Sequence, residues 1–105
     1  MYYHKHLDNL DIALQINPNH VDALKNKGIV LRTMGKYQES IEAYKKAVEI
    51  DPFYYEAWNN IGVVFGLIGN YAEAKRAFDK ALEINPDFES AIKNREIAII
   101  KLENG

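Results

Sequence analysis

Apolar residues recur along the chain at helical spacing, in short runs broken at regular intervals. Between residues 55 and 88, Trp58, Ile61, Val64, Phe65 and Ile68 mark one face of a first run. Tyr71, Ala74, Phe78, Ala81 and Leu82 mark one face of a second. Each run predicts an amphipathic helix. The breaks have a physical cause: all three prolines, Pro18, Pro52 and Pro86, sit in the similar stretches "QINPNHVDA", "EIDPFYYEA" and "EINPDFESA", 34 residues apart both times. Proline lacks the amide hydrogen and clashes with the preceding turn, so each one ends a helix and lets another begin. Within the units, Gly35-Lys36 and Gly69-Asn70 separate the two runs, and glycine there can take the left-handed conformation that closes a helix. Each unit therefore reads as an αα-hairpin.

At a period of 34, residues 21–54 lie over 55–88, with Ala23 on Ala57, Asn26 on Asn60, Gly28 on Gly62, Gly35 on Gly69, Tyr37 on Tyr71, Tyr44 on Phe78 and Ala47 on Ala81. Gly28 and Gly62 sit inside a helix, where glycine costs ~1 kcal/mol relative to alanine. Close packing of the paired helix, with small residues such as Ser40 or Ala74 facing the glycine, is the expected compensation. The pattern Trp58, Ile61, Gly62, Phe65, Ala74, Phe78, Ala81, Pro86 resembles the tetratricopeptide repeat, a 34-residue helix-turn-helix unit. Residues 21–54 depart from it at Leu24, Lys27 and Ser40, where the family usually has tryptophan, leucine and alanine.

The ends read as half-units. Residues 1–20 align with a second helix, placing Tyr3 with Tyr37, Leu10 with Tyr44, Ala13 with Ala47 and Pro18 with Pro52. Residues 89–105 align with a first helix, but Arg95 and Glu96 replace the usual leucine and glycine. Both charges are expected on the face that would meet a following helix, as on a capping helix with a wet outer side. The expected fold is all-α: six helices near 2–16, 21–34, 37–50, 54–68, 71–84 and 88–102, in one domain. The resemblance implies antiparallel hairpins stacked as a right-handed α-solenoid.

Composition narrows the function classes. A chain of 105 residues with 48% hydrophobic and 27% charged residues is an ordinary globular length and composition. Its formal net charge of -2 supplies no whole-molecule basic field, so nucleic acid is not the expected partner. The absence of cysteine removes disulfides, thiolate metal sites and a cysteine nucleophile, and fits a reducing compartment. No apolar run suits a signal peptide or a membrane span, and the reading is a cytoplasmic protein without membrane attachment.

Catalytic chemistry finds little support. Ser40, Ser90, Thr33 and the tyrosines stand in no recognisable nucleophile arrangement. Ser40 reads as a small packing residue. The carboxylates fall among lysines on outward helix faces, and the glycines recur singly rather than in a phosphate-binding loop. His4 and His6 are the sole candidate chelate, yet residues two apart on a helix point away from one another. No metal, cofactor or enzymatic activity is expected. Most aromatic residues occupy repeat core positions.

The resemblance implies that the first helix of each hairpin lines a concave groove that receives an extended peptide or a partner helix. Carried onto this sequence, the candidate contacts are Lys25, Ile29, Arg32, Asn59, Asn60, Val63, Lys93 and Ile97. Basic residues outnumber acidic ones on this surface, which favours a peptide with apolar anchors and some negative charge. The family's clamp for a chaperone's C-terminal carboxylate is incomplete: Asn60 fits and Lys25 could, but Ile29 replaces a second asparagine, and Ser90 and Asn94 stand where basic residues are expected. The leading reading is a non-catalytic protein-interaction module or scaffold. The alternative is a self-associating unit, joined head to tail through its terminal half-repeats, or a fragment of a longer array.

Overall fold

The computed structural model describes residues 2–104, with the side chains of 3–104. The described residues form six α-helices and no strand: α1 (Tyr2–Ile16), α2 (Val21–Thr33), α3 (Tyr37–Ile50), α4 (Tyr55–Ile68), α5 (Tyr71–Ile84) and α6 (Glu89–Asn104). They fall into two compact units that divide between Pro52 and Phe53.

Local sequence accounts for the breaks. At Asn17 and Asn85 the chain turns on the following proline. The amide of His20 donates to the Asn17 carbonyl (3.1 Å) and that of Phe88 to the Asn85 carbonyl (3.2 Å). The asparagine side chains brace the same turns, accepting from Asn19 N–H and Asp87 N–H. Inside each hairpin, Gly35 (φ 80°) and Gly69 (φ 94°) take the left-handed region. The next amides, Lys36 and Asn70, reach back to the carbonyls of Leu31 (2.8 Å) and Phe65 (2.9 Å), completing Schellman motifs. Helix α6 runs two residues beyond the expected end. Glu103 stands where α2 and α4 meet Gly35 and Gly69, and a side chain there disfavours the left-handed turn, so the helix continues.

Each hairpin is closed by an aromatic ring seated on a helical glycine. A methyl at Gly28 would lie 2.6 Å from Cδ1 of Tyr44, and one at Gly62 would lie 2.6 Å from Cδ1 of Phe78. The close packing expected at these glycines is thus made by rings as well as by small residues: Tyr44 and Phe78 occupy the space a side chain would need. Ser40, fully buried, has a second role, since its hydroxyl donates to the Gly28 carbonyl (2.6 Å). The Tyr44 hydroxyl is buried, and burial pushes its pKa up against the opposing effects of the Arg32 charge and the Ser40 hydroxyl. In the second unit Phe78, Ala74 and Ala98 form the buried cluster, with Val63 and Phe65 packed against it.

Outside these cores, Lys80 of α5 lies 5.9 Å from the Trp58 ring centre, and Tyr55 meets Phe88 edge to face at 5.0 Å. Two charged residues at repeat positions expected to be apolar are explained by matched acids. Lys27 of α2 pairs with Asp11 of α1 at 2.8 Å, and Arg95 of α6 pairs with Asp79 of α5 across the same separation of 16 positions. Arg95 therefore turns toward the preceding helix, against the expectation that it faces a following one. Asp79 also accepts from Lys75 at 2.8 Å.

Two outcomes test these contacts. Gly62→Ala should lower stability by about 1–3 kcal/mol through overpacking, and Phe78→Leu in the same chain should recover part of the loss. Denaturant titrations of the four chains check this, and a Gly62→Ala chain as stable as the parent would overturn it. Burial works to raise the Asp79 pKa, but the hydrogen bonds and charges of Lys75 and Arg95 outweigh it and hold the carboxyl below its usual range. Its contribution is therefore present at neutral pH and lost as pH falls through the depressed value. With both partners about a third exposed, Asp79→Asn should cost at most about 1 kcal/mol at pH 7. That difference should shrink on acidification, and a difference independent of pH down to acid unfolding would contradict the pairing.

Candidate partner-binding site

The expected contact residues distribute over three helices. Lys25, Ile29 and Arg32 follow one another along one face of α2 in the first unit, all half-buried. Asn59, Asn60 and Val63 lie on α4, and Lys93 and Ile97 on α6, in the second unit. Of these, the structure brings Val63 and Ile97 together. They line a cavity of about 250 Å³ with Gly66, Leu67, Tyr71 and Lys101. Leu67 and Ile97 are more than half exposed, so the cavity opens beside apolar surface that no element of its own unit covers.

Asn59 is held by bonds within its own unit. It is buried, its amide nitrogen donates to the Ser90 hydroxyl, and its carbonyl oxygen accepts from the Asn94 amide, both at 3.3 Å. Both ends of its amide are thus engaged in fixing α6 to α4. Asn60 and Lys93 do not line the cavity. Tyr71 does, although its repetition at Tyr37 and Tyr3 reads as a core position. It stays half-buried because it opens α5, at the edge of the hairpin.

Gly66 distinguishes this site. It lies inside α4, does not need positive φ, and a methyl on it would meet nothing within 4 Å. Neither reason that explains the other four described glycines applies. The corresponding residues one repeat away are Arg32 and Ile100, both large. A helical glycine costing ~1 kcal/mol leaves the cavity open where a side chain would fill it.

A larger cavity, about 430 Å³, lies in the first unit among Leu7, Asp11, Leu14, Lys27, Glu39 and Lys46. Charges of both signs line it and none of the expected contacts does, so it reads as a solvated groove between charged helix faces. Among the described residues no group of three or more His, Asp or Glu could hold a metal ion. His4 and His6 lie on helical α1, two positions apart. No helix among the described residues is long and apolar enough to cross a membrane.

The family model for the tetratricopeptide repeat matches residues 21–54 and 55–88, the same units marked by the glycine–ring contacts. The chain belongs to the tetratricopeptide repeat family. No enzyme family is indicated. A search of curated proteins returns no significant match. Among solved structures, the chain is similar to YrrB, a tetratricopeptide repeat protein described as having an unusual peptide-binding site, with 29% identity and a TM-score of 0.83 over 86% of this chain. It spans 46% of that protein's length. The tetratricopeptide domain of Sgt2 from Aspergillus fumigatus is 26% identical, with a TM-score of 0.91 over 97% of this chain and 69% of that one. The first tetratricopeptide domain of Spaghetti (RPAP3), solved with an HSP90 peptide, shares the fold at 18% identity, with a TM-score of 0.92 over 97% of this chain and 81% of that one. In this tetratricopeptide chain, Ser90 and Asn94, at positions where a carboxylate clamp has basic residues, are bonded to Asn59.

If Gly66 is kept for the cavity rather than for the fold, Gly66→Ala should raise stability by about 0.5–1 kcal/mol. Thermal and denaturant unfolding measure it, and a destabilised variant would show that the backbone or packing needs glycine there.

Proposed function

We propose that the chain is a non-catalytic protein-interaction module, binding a peptide or helix of a partner protein on the first helices of its hairpins. The observation that carries this is the cavity held open at Gly66, lined by Val63, Leu67, Tyr71 and Ile97 with Lys101 beside them. Its apolar lining suits a leucine or aromatic anchor, and Lys101, with Lys93 on the same helix, favours a carboxylate near that anchor. In the first unit Lys25, Ile29 and Arg32 offer the same mixture of apolar surface and positive charge, and we assign them contacts of the same kind. The likeness to YrrB supports a peptide ligand.

Selection from a random peptide display library tests the reading. Enriched peptides should carry a large apolar residue close to Asp or Glu. Burying such an anchor contributes about 1.5–3 kcal/mol, so Gly66→Leu, which fills the cavity, should weaken binding roughly ten- to a hundredfold while circular dichroism stays unchanged. Lys101→Glu should remove the acidic preference. Enriched peptides that bind the Gly66→Leu chain as tightly as the parent would place the ligand elsewhere, and a selection without enrichment would remove the peptide-binding reading.

A further inference from the structure

The two terminal helices expose faces that are buried in the complete hairpins. In α3 and α5 the residues that meet the first helix are Ser40, Tyr44 and Ala47, and Ala74, Phe78 and Ala81, none more than 3% exposed. The same register positions in α1 hold His6, exposed, and Leu10 and Ala13, half-buried, following Tyr3 at 42% exposure. On the first-helix side, Trp58, Gly62 and Phe65 of α4 correspond to Ile92, Glu96 and Ile99 of α6. There Ile92 is 43% exposed and Glu96 is exposed.

The residues on these two faces differ from the repeat in a correlated way. Gly28 and Gly62 are required because the rings of Tyr44 and Phe78 occupy the place of a side chain. In α6 that position carries Glu96, which no aromatic ring opposite could accommodate. In α1 the ring position carries Leu10, shorter and without a ring. The position of Ser40, whose hydroxyl reaches the Gly28 carbonyl, carries His6, whose imidazole can donate to a carboxylate at the Glu96 position. The room needed, the room made and the charge pairing change together. Arg95, the charge next to Glu96 on α6, is paired with Asp79 of α5 and does not oppose the contact.

We propose that this face of α6 is covered by α1 of a second copy of the chain, the two helices forming a composite hairpin. Glu96 of one copy lies beside Leu10 of the other and bonds its His6, while Ile92 and Ile99 pack against Tyr3, Leu10 and Ala13. The contact is heterologous, so it closes as a ring or extends as an array.

Sedimentation equilibrium of the 105-residue chain over an about hundredfold dilution series provides the test. The mean mass should rise with concentration, by discrete closure or by continued growth. Glu96→Lys, which removes the carboxylate that His6 bonds, and His6→Glu, which sets two carboxylates against each other, both at exposed positions and checked by circular dichroism for retained helix, should each weaken association by at least about tenfold. In an equimolar mixture, alternating variant chains meet through a lysine–glutamate pair and the parent Glu96–His6 pair in turn, and association should recover toward the parent's. A parent chain that remains monomeric at every concentration would overturn the proposal and leave these faces to a different partner. Association that neither variant weakens, or that the mixture fails to restore, would place the contact elsewhere. None of these readings depends on the peptide site, since Gly66→Leu should leave association unchanged.

Discussion

The seating of an aromatic ring on a helical glycine sets the spacing of both hairpins. A glycine in a helix costs ~1 kcal/mol against alanine, while burying a phenylalanine-sized side chain contributes about 1.5–3 kcal/mol, so the exchange favours close approach. Once Tyr44 lies on Gly28 and Phe78 on Gly62, the helices are too near for a large residue one turn earlier on the second helix. Ser40 and Ala74, both fully buried, meet that restriction. Ser40 adds a hydrogen bond to the carbonyl of the same glycine, so the substitution of the usual alanine by serine carries its own partner.

Contacts between one hairpin and the adjoining terminal helix tolerate more. Lys27 and Arg95 stand where the repeat is ordinarily apolar, yet each meets an aspartate on the preceding helix, Asp11 and Asp79. Half-exposed pairs of this kind contribute about 0–1 kcal/mol, too little to drive assembly of the helices. They make a charged residue acceptable at a partly covered position, and the apolar burial of Ala91 and Ala98, both at most 2% exposed, does the rest for α6.

The helices were legible because their signals are local. Proline turns, left-handed glycines and helical periodicity each act over a few residues, and five of the six helices end within a residue of expectation. The exception, α6, lacks the glycine that stops α2 and α4. Pairings across helices were harder to read. Nothing in the spacing of Lys27 says that its partner is Asp11, and Arg95 reads as an outer charge until Asp79 is placed beside it. At the candidate site, the resemblance named Val63 and Ile97 on different helices, and both line one cavity. It did not show the bonds of Asn59, because they depend on Ser90 and Asn94 arriving from α6.

The described glycines sort by what surrounds them, and the sorting separates fold from function. Gly35 and Gly69 answer to backbone conformation, and Gly28 and Gly62 to a ring. Exchange at any of the four acts on the hairpin itself, so loss of binding there would say nothing about a ligand. Gly66 answers to neither, with open space where its side chain would be. No neighbour within 4 Å asks for glycine there, and helix propensity disfavours it. An unfilled place of that kind, bordered by Leu67 and Ile97 and reached by Lys101, is accounted for if its occupant belongs to another molecule.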